Sequence, residues 1–225
     1  MSNLINYTLH LADNALILGQ RNTEWCGHGP ILEQDIAITN ISLDLVGQAR
    51  SFYQYAAQLK ADDSTEDMLA YFRTERDFKN CLLVEQPNGD WAQTILRQFL
   101  FSSYQYFLYQ ELQKNSDETL AAIAEKSLKE VSYHLRWSSE WVIRLGDGTD
   151  ESHSRILKAI DELWRYTGEL FIPVEYEKEA GVDVSLLKND WSEKVKAVLT
   201  EATLPVPENI FMQTGGKTGT HTEHL

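Results

Sequence analysis

The chain is short of cysteine, of positive charge and of long apolar runs, and each shortage removes a class of protein. Its two cysteines, Cys26 and Cys81, are too few for a disulfide framework and lack the paired spacing of a zinc site. Lys and Arg number 20 against 34 Asp and Glu, a formal charge of −14, which opposes binding to phosphate backbones and to anionic membrane surfaces. No nucleic acid and no membrane partner is therefore expected. No stretch reaches the roughly 18 uncharged apolar residues of a membrane span. The opening run MSNLINYTLHLADNALILG has no basic leader, and Asn6, His10, Asp13 and Asn14 interrupt its apolar residues, so it does not read as a signal peptide. A cytoplasmic location is expected.

What the chain does have is helical period. Hydrophobic residues make up 43% and aromatics 11% of its 225 positions, a composition able to bury roughly 70% or more of the unfolded surface. Leu4, Tyr7, Leu11, Ala15 and Leu18 recur at steps of three and four, predicting a first helix from about Leu4 to Gln20. The turn-rich TEWCGHGP follows, with Pro30 at a helix entrance. From Ile31 to about Leu59 the one breaker is Gly47, so a second helix of about 43 Å is predicted. A shorter stretch spans Met68 to Phe78. Two further long helices run from Trp91 to about Lys114 and, after NSD, to about Arg144, with Asp90 and then Ser116 or Asp117 as N-caps. More helices are predicted near Glu151–Leu170 and Ser185–Ala202.

Strand alternation is scarce, and no repeat or change of composition marks a boundary. The reading is one all-α domain over residues 1–225, a four-helix bundle with additional helices. The second helix is apolar around most of its girth, through Ile36, Ile38, Ile41, Leu43, Leu45, Val46, Phe52 and Tyr53. Such a helix is central or is covered by another chain.

Bundles place functional polar groups on inward faces, and KEVSYH puts Glu130 and His134 four residues apart on one helical face. On the second helix Asn40, Asp44 and Gln48 form a line of the same spacing. A di-iron carboxylate centre takes a Glu from each of two helices and Glu-x-x-His from each of the other two. Here the residue three before His134 is Val131, Gln48 is a poor iron ligand, and one imidazole stands where two are needed. The count falls short of two irons. A mononuclear site of Asp44, Glu130 and His134 stays open beside the plainer reading, a hydrogen-bonded polar network.

The stretches EWCGHGPILEQDIAITNISLDLVGQARSFYQYAA, LLVEQPNGDWAQTILRQF, KEVSYHLRW, LWRYTGELF and GGKTGTHTEHL occur in order along nearly the whole chain. Together they resemble the PaaC family, non-catalytic components of the ring-1,2-phenylacetyl-CoA epoxidase of phenylacetate degradation. The resemblance implies a ferritin-like bundle with no catalytic residues and no cofactor of its own. Asp44, Gln48, Glu130 and His134 would be the positions of a degenerate metal site. Its partner would be the related catalytic A subunit, which keeps the di-iron centre, together with the other epoxidase components. A homodimer is the alternative for the chain on its own. Aligning the degenerate site on Gln48 and His134 puts Leu45 and Val131 where Glu is expected. The family continues beyond HTEHL into a further helix that this sequence does not contain.

Two other readings compete with a scaffold subunit: a metal-dependent oxygenase using Glu130, His134 and Asp44, and a free-standing helical binding protein. The remaining motifs are weaker. GGKTGT lacks the P-loop spacing, since Phe211 stands five places before Gly216, and is expected to be a flexible loop. HTEH, His221 to His224, is expected to start a helix with Thr222 as its cap rather than to bind metal. Cys26 and His28 read as structural, and the aromatic run from Phe99 to Tyr109 as core or interface.

Overall fold

The computed structural model describes residues 2–225. Helix α1, Asn3–Thr23, starts where Ser2 Oγ accepts the Ile5 amide, and it buries Tyr7, Leu11, Ala15 and Leu18 as the spacing predicts. Helix α2, Leu32–Lys60, begins after Ile31, whose extended backbone makes it the N-cap. Pro30 thus precedes the cap instead of opening the helix. At the far end Ala61 turns left-handed, with φ 51°, and stops α2.

The stretch read as one helix from Met68 to Phe78 is broken. Helix α3 spans Glu66–Tyr71, and a 3-10 turn at Glu75–Asp77 follows, closed by Asp77 reaching back to the Thr74 amide at 3.0 Å. After the one-turn helix α4, Leu82–Glu85, come the other two long rods, α5 at Trp91–Leu112 and α6 at Glu118–Gly146. Asp90 and Asp117 cap them by accepting the amides of Gln93 and Leu120. The seventh element is also shorter than its period suggests. Helix α7, Asp150–Leu163, gives way to 3-10 turns at Trp164–Tyr166 and Gly168–Phe171. Helices α8, Glu175–Glu179, and α9, Lys188–Glu201, complete the set, the latter entered through a 3-10 turn at Val184–Leu187.

Side-chain pairs fix the topology. Tyr53 reaches Asp13, and the space beside Gly19 is filled by Leu45 and Val46, so α2 runs antiparallel to α1. Asp44 meets His134 and Gln48 meets Glu130, so α6 runs antiparallel to α2. Trp91 packs edge-on to Trp137 and Trp141, pairing the start of α5 with the end of α6. Helices α2 and α5 therefore point the same way, and residues 61–90 form the long crossover that a parallel pair requires. This is a ferritin-like all-α bundle, and no strand occurs among the described residues. Helix α7 packs on α5 and α6, and α9 lies on the same pair, with Trp191 Nε1 donating to the Leu100 carbonyl at 3.0 Å.

Helix α2 is split by face. Ile38, Ile41, Leu45, Phe52 and Tyr53 are in the core, whereas Leu32, Ile36 and Leu43 are 72%, 52% and 63% exposed, with Val46 beside them. The outer apolar residues are spaced by four, seven and three positions, so they line one seam along the helix.

Candidate functional site

Because α2 and α6 are antiparallel and both carry polar residues four apart, their residues meet in two rungs. In the first, His134 Nε2 donates to Asp44 Oδ2 at 3.0 Å. In the second, Gln48 Nε2 donates to Glu130 Oε2 at 2.9 Å. The second rung extends inward: Tyr109 of α5 donates to Gln48 Oε1 at 3.3 Å, and Gln105 Nε2 donates to the Tyr109 hydroxyl at 3.3 Å. Burial pushes the Tyr109 hydroxyl pKa up, which keeps it a donor. His134 is fully buried while the Asp44 side chain is 35% exposed, so the first rung reaches from the core to the surface.

The rungs use up the donors in pairs. No hydrogen bond or ion pair joins Glu130 to His134, and among the described residues no three His, Cys, Asp or Glu side chains come together as a ligand set. Leu45 and Val131, which precede Gln48 and His134 by three residues, are fully buried aliphatics. Two irons need several oxygen ligands and an imidazole each. The groups present offer one imidazole, already engaged at Nε2 with its Nδ1 unpartnered, and they do not fit such a centre.

Residues 1–225 match the family described as phenylacetic acid catabolic protein. The chain belongs to that family. The C component of the 1,2-phenylacetyl-CoA epoxidase of Escherichia coli (strain K12) is 50% identical over 230 residues, covering 100% of this chain and 92% of that protein. The two polar rungs are thus features of a phenylacetic acid catabolic family member.

Densely connected polar groups in this member also lie elsewhere, between α1 and the segments after α2, and sequence reasoning did not find them. Asp13 is fully buried and accepts from the Tyr53 hydroxyl at 2.6 Å, from the Lys79 amide at 2.8 Å and from the Arg73 guanidinium. His10, also fully buried, donates Nδ1–H to the Lys79 carbonyl at 2.7 Å. Burial, helped by the nearby Lys217 ammonium, pulls its pKa down to about 3, so it is a neutral imidazole. The signal was present. His10, Asp13 and Asn14 are polar residues on the buried face of an otherwise apolar helix.

Two motifs at the far end of the sequence are also held by buried carboxylates. GGKTGT is not a flexible loop. Gly216–Thr218 is a 3-10 turn, and Lys217 is buried against Glu177 at 2.8 Å and the carbonyls of Leu170 and Ile172. At HTEH, Thr222 Oγ1 accepts the His224 amide at 3.4 Å in the manner of the expected cap, while Glu85 captures the Thr222 amide at 2.7 Å and the His221 ring at 2.7 Å. His28 Nδ1 faces the Cys26 carbonyl at 3.1 Å, not its thiol, so no nucleophile pair forms in WCGHG.

Proposed function

We propose that this chain is the non-catalytic subunit of a 1,2-phenylacetyl-CoA epoxidase, which binds and stabilises a catalytic A subunit of related fold. The reaction is the O2-dependent epoxidation of the aromatic ring, with electrons from a separate reductase. The A subunit holds the di-iron centre and does the chemistry. The observation that carries the reading is the pairing of Asp44 with His134 and Gln48 with Glu130 beside aliphatic Leu45 and Val131: in the register that the resemblance implies, hydrogen-bonded pairs and aliphatic side chains stand in place of a metal-ligand set. The likeness to an epoxidase component supplies the reaction.

The seam of Leu32, Ile36, Leu43 and Val46 on α2 supports docking, since an exposed apolar line on a long helix suits a second helix laid along it. A docked bundle would restrain the outer helices of a catalytic partner, whose carboxylates must stay within ligand distance. The charge of −14 argues against this surface attracting the phosphates of coenzyme A. Charge attraction for the substrate then comes from the partner.

Co-expression with the catalytic subunit tests the proposal. A stable complex at micromolar concentration is expected, with turnover requiring both chains, iron travelling with the catalytic one, and His134→Ala leaving the iron content unchanged. Stoichiometric iron in this chain alone, lost on His134→Ala, or failure to bind the catalytic subunit would overturn it.

A further inference from the structure

The segment Gln213–Leu225 crosses the molecule in extended and turn conformation and is held by three buried carboxylates from three different elements. Glu169 Oε1 accepts the Gly215 amide at 2.7 Å and the Lys217 amide at 3.3 Å. Glu177 pairs with Lys217 Nζ at 2.8 Å. Glu85 Oε1 accepts the Thr222 amide and hydroxyl, at 2.7 and 2.8 Å, while Oε2 accepts from Asn80 at 2.8 Å and from His221 Nδ1 at 2.7 Å. The other His221 nitrogen, Nε2, lies 3.0 Å from the Phe78 carbonyl. A carboxylate and a peptide carbonyl are both acceptors. The ring can satisfy both only with a proton on each nitrogen, which is the imidazolium.

We infer that Gln213–Leu225 is a strap in two halves, with the half from His221 onward closed while His221 carries both ring protons and released when it loses one. Deprotonation turns one of two donors into a lone pair facing oxygen, in a site where Glu85 has no access to water. The half around Lys217 stays in place: the one imidazole near its Lys217–Glu177 pair, His10 at 3.6 Å from Glu177, is already neutral, its pKa pulled down to about 3. Release would expose Glu85 and Asn80 and free the Arg21 guanidinium from the His224 carbonyl. The inference does not depend on the epoxidase assignment.

The surroundings agree in sign. Burial lowers the pKa of His221, but the hydrogen bonds to Glu85 and to the Phe78 carbonyl and the charges of Glu85 and Glu169 outweigh it, so the net shift is upward from 6.5. The cations on neighbouring elements are Arg21 of α1, which binds the carbonyls of Glu85 and His224, Arg76, whose carbonyl abuts Gly219, Lys79 in the crossover, and Lys217. With the bound value above the free one, closure is complete below about pH 6.5 and is lost as pH rises through the bound value.

Amide exchange in the intact chain between about pH 6 and 9, corrected for intrinsic rates, reads this directly. The protection of the Thr222 amide relative to that of Gly215 should fall by up to about tenfold per pH unit above the pKa of His221. In His221→Gln the ratio should be low and flat across the range. A constant ratio in the wild type, or an equal fall in His221→Gln, would overturn the inference. Imidazole nitrogen shifts of the wild type decide it without any variant: His221 doubly protonated at neutral pH supports the strap, and a neutral tautomer there refutes it.

Discussion

Asp13 has no contact with solvent, and every hydrogen bond it accepts comes from a different part of the chain: Tyr53 on α2, then Arg73 and the Lys79 amide in the crossover. One carboxylate on α1 therefore sets where the crossover lies. Asp13→Ala leaves the Arg73 guanidinium, itself largely buried, without its counter-charge, and the cost of breaking such a pair is about 3–5 kcal/mol. Equilibrium urea unfolding measures it. His10, one turn away, makes a second prediction through protons. Its folded pKa is about 3, held down chiefly by burial, whereas the unfolded chain regains about 6.5. The unfolded state then binds a proton that the folded state does not, so stability rises with pH across that window and drops as pH falls below about 6.5. Unfolding at about pH 5 and about pH 6.5 should show the loss in the wild type, with a shallower slope in His10→Gln.

At the scale of elements, the long helices are legible in the sequence because each carries its own period and cap. Asp90 and Asp117 occupy the N-caps that their positions before apolar runs predict. Where the predicted helices overrun, after Tyr71 and after Leu163, the chain bends at Phe72–Thr74 in the first case and in both goes on to 3-10 turns, which share enough of the helical spacing to extend an apolar period without being α-helix. The rungs of the candidate site are half legible. Spacing puts Asp44 and Gln48 on one face and Glu130 and His134 on another, but the partner of each is set by the α2–α6 register, a long-range property. The strap is illegible for a different reason: its glycines answer to contacts distant in sequence. A Cβ at Gly216 would fall 2.3 Å from the Asn80 carbonyl oxygen, and one at Gly219, whose φ is 84°, would fall 2.4 Å from that of Arg76. Gly216→Ala and Gly219→Ala should each destabilise by about 1–3 kcal/mol, from overpacking and, at Gly219, left-handed strain as well. Shifts in the urea midpoint at unchanged slope would establish this.

At the scale of the whole molecule the two imidazole effects bracket neutrality, His10 weakening the fold toward acid and His221 loosening the strap toward base. Neither touches the seam on α2, so that surface can be tested by itself. Its residues Ile36 and Leu43 are more than half exposed in the chain alone, and a polar replacement removes no core contact and costs the isolated fold little, within about 0.5 kcal/mol. In a complex the same residues would lie between two helices. Ile36→Asp with Leu43→Asp should then weaken binding of the catalytic subunit by at least about 2 kcal/mol, or roughly 30-fold in Kd, while the melting temperature of the chain alone barely moves. The stabilisation that a tight partner gives by mass action, about 2.7 kcal/mol at a hundredfold excess over Kd, should shrink in step. Isothermal titration and paired thermal melts, with and without the partner, measure both quantities. If the double variant bound as tightly as the wild type, the seam would not be the docking face, and the exposed apolar line on α2 would need another occupant.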